Sequence, residues 1–352
     1  MNRLHNFMTR LALVPAFILP LIVCSEAAAS EDPSKYTTFV AYFENDLFGG
    51  TDEYYSSAIK LSWISKGIDN SGTDGRPPGW IRWLTAKKPA AERQDLFHTI
   101  VLSLGQNIYT PKDIQATALV EDDRPYAGWL YFAAALQTKN VDFLNTLELN
   151  IGIVGPSALA EQTQRTTHRW LNDTEPLGWD NQLQDEPGLM LAWQRFWRVI
   201  RKPIGSGLAY DAIPHAGITV GNVMTYANAG GEIRFGYNLP ADFGSSLIRP
   251  AGNTVAPVGA KDPRVDPSSN FGLSLFVGID GRAVARNIFL DGNTFRDSAS
   301  VDKKYLVADI SAGVSVIYKR FKLSYTHVYR TEEFQGQDGG QFFGSISLAY
   351  TF

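Results

Sequence analysis

Beyond its first thirty residues the chain never reaches the ~18 uninterrupted apolar residues that a membrane-spanning helix requires, yet hydrophobic residues recur at every second position over stretch after stretch. Period two is the repeat of a β-strand with two chemically different faces. In the last stretch Phe342, Gly344, Ile346, Leu348, Tyr350 and Phe352 share one face, and Ser345, Ser347 and Thr351 the other. In the stretch before residue 319, Leu306, Ala308, Ile310, Ala312, Val314, Val316 and Tyr318 oppose Asp309, Ser311, Gly313 and Ser315. The same alternation runs through 143–153, and through 54–65, where Tyr55, Ile59, Leu61 and Trp63 oppose Tyr54, Ser56, Lys60 and Ser62. Each strand therefore has one lipid-compatible face and one small or polar face.

A soluble β-sandwich also alternates apolar and polar residues. The start and end of the chain favour the membrane. Arg3 and Arg10 precede an apolar run from Leu11 to Val23, and Ala27-Ala28-Ala29 fits a signal-peptide cleavage site. Residues 1–29 are expected to be a secretory signal and residues 30–352 one domain. The single cysteine, Cys24, falls in the signal, where Val23 before it is a poor lipoprotein match, so the mature chain has no disulfide. Losing Arg3, Arg10 and Glu26 shifts the net charge from −4 to about −5. No basic footprint for nucleic acid is present.

The expected fold is all-β: a transmembrane antiparallel up-and-down β-barrel closing on a terminal aromatic strand, with a short helix in an extracellular loop. About twelve strands are expected near 36–46, 54–66, 98–109, 125–137, 142–154, 188–200, 208–221, 228–239, 271–290, 305–319, 321–331 and 341–352. With the N-terminus periplasmic, strand parity puts the Glu44 to Asp52 connection, loop 110–124, segment 155–187 and loops 291–304 and 331–340 on the outer rim. Tight turns at Tyr318-Lys319-Arg320-Phe321 and Gln137-Thr138-Lys139-Asn140 fall below. Two long segments, 67–97 and 240–270, also fall on the periplasmic side, where short turns are the rule. Trp80, Ile81, Trp83 and Leu84 suit 73–95 either to a surface amphipathic helix or to a plug at the barrel base.

Polar clusters mark the outer rim. Glu44-Asn45-Asp46-Leu47 and Asp52-Glu53-Tyr54-Tyr55-Ser56 sit at one connection; Gln164 and His168 lie on another. Ser157 after Pro156 reads as an N-cap for a helix over 158–171. There Gln164 and His168, spaced i, i+4, share a face with Glu161 that can look into the barrel mouth. Asn45 and Asp46 can act together only if the strand ends or bulges at Glu44 to Asp46. The plain alternatives are an Asx-turn at Asn45 or Asp46, a packing role for Ser56 beside Lys60 in the lumen, and a solvated rim histidine.

With these pieces in place the chain resembles the outer-membrane lipid A 3′-O-deacylases from about residue 38 onward. The resemblance is carried by Glu44-Asn45-Asp46, Tyr54-Tyr55-Ser56, Gly105-Gln106-Asn107-Ile108-Tyr109, Asp123-Arg124, Gly152-Ile153-Val154-Gly155-Pro156, Gln164-Arg165-Thr166-Thr167-His168-Arg169, Trp179 and Gln182. It implies a twelve-stranded barrel that uses calcium to hydrolyse the ester of the 3′-acyloxyacyl chain of lipid A. It assigns His168 as general base, Asn45 and Asp46 as the polar pair opposite, Ser56 to a hydroxyl position usually filled by Thr, and Gln164 as a supporting amide. The chain departs from the family at the loop after the third strand, where a basic pair engages the lipid head group. Here Lys112 stands alone, with Arg124 and Arg165 as substitutes.

Histidine suits ester hydrolysis, since an unperturbed pKa near 6.5 lets it take a proton from water and return it to the leaving alkoxide. A cation held by Asp46 would supply positive charge for the oxyanion, although the spacing matches no EF-hand loop. No Gly-x-Ser-x-Gly elbow accompanies Ser56, so a His168-activated water is preferred to a serine nucleophile. The expectation is a monomeric, calcium-dependent esterase acting on lipid A of lipopolysaccharide. A phospholipase-like barrel and a non-enzymatic channel or structural barrel are the alternatives.

Overall fold

The computed structural model describes residues 32–49, 54–69, 96–245 and 247–352. The expected signal, Asp52 and the 73–95 segment lie outside the described residues. Twelve antiparallel strands form a closed ring: β1 (Thr38–Asn45), β2 (Tyr54–Ile64), β3 (Phe97–Thr110), β4 (Ala127–Lys139), β5 (Phe143–Val154), β6 (Glu186–Trp197), β7 (Leu208–Gly221), β8 (Met224–Tyr237), β9 (Phe271–Asn287), β10 (Leu306–Tyr318), β11 (Phe321–Arg330) and β12 (Gln341–Thr351). Sequence neighbours pair throughout, and β12 closes on β1 from Thr38↔Thr351 to Asn45↔Gly344. Closure leaves no ring edge with unpaired backbone groups, the condition for crossing a bilayer with strands. Two short strands, Ile68–Asp69 and Ile200–Gly205, extend the sheet beside β3 and β7.

The alternation is inside-out relative to a soluble sandwich. Leu275, Val277 and Ile279 on β9 are each more than half exposed, whereas Lys60, Asp211, Asp309 and Lys322 are buried in the lumen. Such an outer surface would expose one large apolar patch to water; lipid is the solvent it fits. The turn at Lys319 and Arg320 joins Tyr318 paired to Phe321, with Lys319 at φ 53°. The other expected lower turn lies slightly later, since β4 runs to Lys139 and Asn140 Oδ1 accepts from the amides of Asp142 and Phe143.

Segment 240–270 is not a periplasmic excursion. It folds back through the lower opening and plugs the barrel, the role that the sequence offered instead to 73–95. Its contacts reach strands all round the wall. Tyr42 Oη donates to Asn253 Oδ1 (3.1 Å), Gln137 Nε2 to the Asn253 carbonyl (2.6 Å), and the amides of Ile248 and Ala251 to Glu44 (2.7 Å) and Glu148 (2.9 Å). A buried loop needs partners for its backbone donors, and the lumen carboxylates supply them. Asp242 holds the base of the plug, meeting Arg234, Arg264 and Lys322 at 2.5, 2.9 and 2.7 Å. Burial works to raise the Asp242 pKa, but these three cations outweigh it and hold the carboxyl well below its ordinary range. Arg249 and Pro250 line both of two small cavities left in the lumen.

Candidate active site

Strand β1 ends at Asn45, and Asp46 opens a one-turn 3-10 helix through Gly49, which is the turn onset the sequence required. Asn45 spends its amide on that turn: Oδ1 accepts from Leu47 N (2.9 Å), and Nδ2 donates to the Ser56 carbonyl across the hairpin (2.9 Å). This is the Asx-turn alternative, and it leaves Asn45 one further N–H. Asp46 is fully buried. Asn45 and Leu47, on either side of it, line the cleft described below, but Asp46 does not.

Ser56 does not share the lumen face with Lys60. The β2–β3 register slips between Tyr55 and Ser57, a β-bulge that reverses side-chain phase above it. Tyr55, expected to face lipid, instead enters the lumen, where its hydroxyl donates to Glu44 (2.8 Å) and its ring packs against Phe343 and Tyr109. Ser56 lines the cleft, its hydroxyl 2.5 Å from that of Thr110.

The helix α1 (Ala160–Leu171) follows a 3-10 turn at Pro156–Ala158. Ser157 is not its cap: it bonds Asp185 through both its amide (2.8 Å) and its hydroxyl (2.6 Å), and Leu159 occupies the cap position at φ 59°. Nor does α1 overlook the mouth. Ala160 packs with Ile108, Ile114, Tyr126 and Trp179, Gln106 Nε2 donates to the Ala158 carbonyl (2.7 Å), and both alanines press on Gly128. Gln106, Ile108 and Gly128 alternate with the inward Tyr109 and Trp129, so the helix lies on the outside of the wall at the rim. Its inner face carries Ala160, Gln164 and His168, all buried. Arg165 pairs on the open side with Glu161 and Glu175, each at 2.8 Å.

Between α1 and the wall is a narrow cleft lined by Asn45, Leu47, Ser56, Ser57, Gln164, Thr167, His168, Leu171 and Asp173. The structure thus gathers Asn45, Ser56, Gln164 and His168 from elements more than a hundred residues apart. Asn172 ends the helix in the left-handed region (φ 56°), and Asp173 N bonds back to the His168 carbonyl (2.9 Å), a helix-terminating reversal. It brings the Thr174 carbonyl to His168 Nδ1 (2.5 Å). A carbonyl only accepts, so Nδ1 carries the proton and Nε2 is the basic nitrogen of the neutral ring.

The proposed head-group cations stand elsewhere. Lys112 is exposed and paired with Asp338 (2.8 Å), and Arg165 is on the solvent side of α1. Arg124 is buried against Glu333 (3.2 Å) and over the Tyr109 ring, so it is an internal strut rather than a surface contact. Asp173 and Thr174 were not singled out from sequence. The Asn172-Asp173-Thr174 stretch directly after the helical pattern was the available signal, as a cap rather than a site.

For a calcium ion, the donors near the cleft suit a hard cation in kind: Asp173 on its wall, Asp46 at the adjoining turn, and the Ser56 hydroxyl. In number they are few. Among the described residues no three His, Cys, Asp or Glu side chains converge, so most of the six to eight oxygens calcium prefers would be backbone carbonyls and water.

The outward residues just below the cleft are apolar. Phe43, Ile59 and Leu104 stand two positions below Asn45, Ser57 and Gln106, roughly 7 Å along a strand. The cleft therefore sits at the upper margin of the lipid-facing belt.

The profile of the family described as "Outer membrane protein LpxR" matches residues 13–352. A search of curated proteins found no match. The solved structure of LpxR from Salmonella typhimurium aligns with a TM-score of 0.68 at 16% identity, covering 90% of this chain and 100% of that one, a likeness of fold. The β domain of the Bordetella autotransporter BrkA (TM-score 0.42, 10% identity, 90% and 98% covered) and the translocator domain of NalP from Neisseria meningitidis (0.37, 8%, 100% and 97%) align more loosely and carry no argument.

Proposed function

This chain belongs to the family of outer membrane protein LpxR, and from that premise we propose that it is a lipid A deacylase, hydrolysing the ester of the 3′-acyloxyacyl chain. The observation that carries this reading is the place of the cleft. A histidine with its tautomer fixed by the Thr174 carbonyl stands outside the barrel wall, at the upper margin of the apolar belt. The ester carbonyls of a membrane lipid lie at that depth, between head group and hydrocarbon. The plugged lumen gives a channel reading little support.

In this mechanism His168 Nε2 takes a proton from a water held in the cleft, and the water oxygen bonds to the ester carbonyl carbon. The carbonyl π electrons move onto oxygen. On collapse the bond to the sugar 3′-oxygen breaks, and His168 returns the proton to the leaving alkoxide. Asn45 shapes the turn and offers its remaining N–H; Ser56 supports the wall beside Thr110. Calcium dependence is part of the proposal: Asp46 and Asp173 would hold the ion, which would supply positive charge to the site. Lys112 and Arg165 are the cations proposed to meet the phosphorylated head group. Residues 1–29 are proposed as a cleaved secretory signal ahead of a single-domain, monomeric barrel.

The test is incubation of the purified protein with lipid A and, separately, with glycerophospholipids, with calcium or with chelator, read by product mass. Calcium-dependent loss of a 3′-acyloxyacyl group supports the reading. Fatty acid released only from phospholipid would replace it with a phospholipase. His168→Ala is expected to lose at least 10²-fold in kcat; full activity in that variant would remove the assigned base.

A further inference from the structure

Gln164 is held in one of its two amide orientations by a residue that is not in the cleft. Trp179 Nε1–H donates to Gln164 Oε1 at 2.9 Å. An indole N–H can only donate, so the group facing it is the oxygen and the NH2 must face the other way. Amide orientation is ordinarily settled by weighing several partners; here one donor decides it. Gln164 lines the cleft with Asn45, Ser56 and His168, is 3% exposed, and its Nε2 is buried without a hydrogen-bond partner among the described residues. A buried donor left unpaired costs stability, a cost expected where a bound group completes the bond. Trp179 is itself immobilised. It is 1% exposed, its ring lies 4.7 Å from that of Tyr126, and the Tyr126 hydroxyl donates to the Ile114 carbonyl (2.9 Å).

We propose that Gln164 Nε2 donates to the carbonyl oxygen of the scissile ester as it becomes an oxyanion, and that Trp179 is the positioning residue that keeps this donor turned toward it. The inference rests on the ester-hydrolase reading and adds an oxyanion donor to it. With the amide reversed, Gln164 would present its own oxygen to the developing negative charge, so losing the indole N–H replaces attraction with repulsion in part of the population. Trp179 touches no substrate and acts only through Gln164.

Two substitutions in the full-length barrel test this. Trp179→Phe keeps an aromatic ring and removes the N–H; Gln164→Met keeps side-chain length and removes the donor. On lipid A, Gln164→Met is expected to lower kcat about 10²- to 10³-fold, the usual effect of removing an oxyanion donor, and Trp179→Phe about 10- to 100-fold. KM and the shape of the pH profile should hold in both. The double variant should be no slower than Gln164→Met alone, because residues acting through one group are not additive. Additive losses, or wild-type kcat in Trp179→Phe, would overturn the proposal. A wild-type protein that cleaves no lipid ester would sink the hydrolase reading and the oxyanion role with it. The positioning contact has its own readout, free of turnover and of the Trp179→Phe fold: the Trp179 indole N–H resonance should move in Gln164→Met, and an unmoved resonance would refute the contact.

Discussion

Gly128 on β4 sets the distance between the helix that carries His168 and the wall that carries Asn45 and Ser56. A Cβ on Gly128 would stand 2.5 Å from Ala160 Cβ and 3.0 Å from Ala158 Cβ. Carbon atoms pack best about 3.5–4.0 Å apart, so Gly128→Ala must push the start of α1 away by about 1–1.5 Å. Ala160, Gln164 and His168 are spaced i, i+4, i+8 on one face, and a rigid helix transmits that shift to the imidazole while Asn45 and Ser56 stay with the barrel. A 1 Å misplacement of a catalytic group costs on the order of 10²-fold in rate. Gly128→Ala is therefore expected to lower kcat/KM on lipid A about 100-fold. Thermal unfolding of the barrel should change little, because overpacking of about 1–3 kcal/mol is relieved by moving a surface helix. Adding Ala160→Gly removes the opposing methyl and should recover most of the activity, less the ~1 kcal/mol that glycine costs a helix. Wild-type turnover in Gly128→Ala, or no recovery in the double variant, would refute this account of how the cleft is held.

Further outcomes follow from other parts of the structure. Ser56→Ala loses a hydroxyl bonded to Thr110. It should cost about 1 kcal/mol in stability and reduce turnover only several-fold, whereas complete loss, with a trapped acyl-enzyme in wild type by mass, would make Ser56 the nucleophile. Asp242→Asn removes the carboxylate that Lys322 bonds, while Arg234 keeps Asp211 and Arg264 keeps Asp262; the buried ammonium left uncompensated should destabilise the barrel by about 3–5 kcal/mol in denaturant unfolding. The pH dependence follows in sign: because the folded Asp242 carboxyl lies below its unfolded value, its contribution is complete above about pH 4 and is lost as pH falls further. Wild-type stability should fall in that acid window, and the Asp242→Asn curve should be flatter there.

The strands were legible because their two faces meet two solvents, and alternation survives whatever the loops do. All twelve were anticipated, within a few residues at most boundaries. The site was legible as types and order, not as geometry. Ser56 shows why: one extra residue in β2 reverses phase, and nothing in Tyr54-Tyr55-Ser56-Ser57 marks which of them is left over. The pairing of Gln164 with His168 was readable from helical spacing, but which way that face looks depends on Gly128 accepting two alanines, a contact between strand β4 and a loop some thirty residues later. The plug was hidden for a similar reason. A stretch rich in proline, glycine and charge reads as an external loop, while the carboxylates that receive it, Glu44 and Glu148, lie about two hundred and one hundred residues earlier, respectively.

Placing the cleft on the outside of the cylinder changes the dimension in which encounter takes place. A leaflet lipid reaches it by drifting sideways, already oriented by the bilayer, and no part of its hydrocarbon need enter water. For a reaction there, supply is a number per unit area, and diluting the membrane with inert amphiphile should slow turnover even when the total amount of substrate is unchanged.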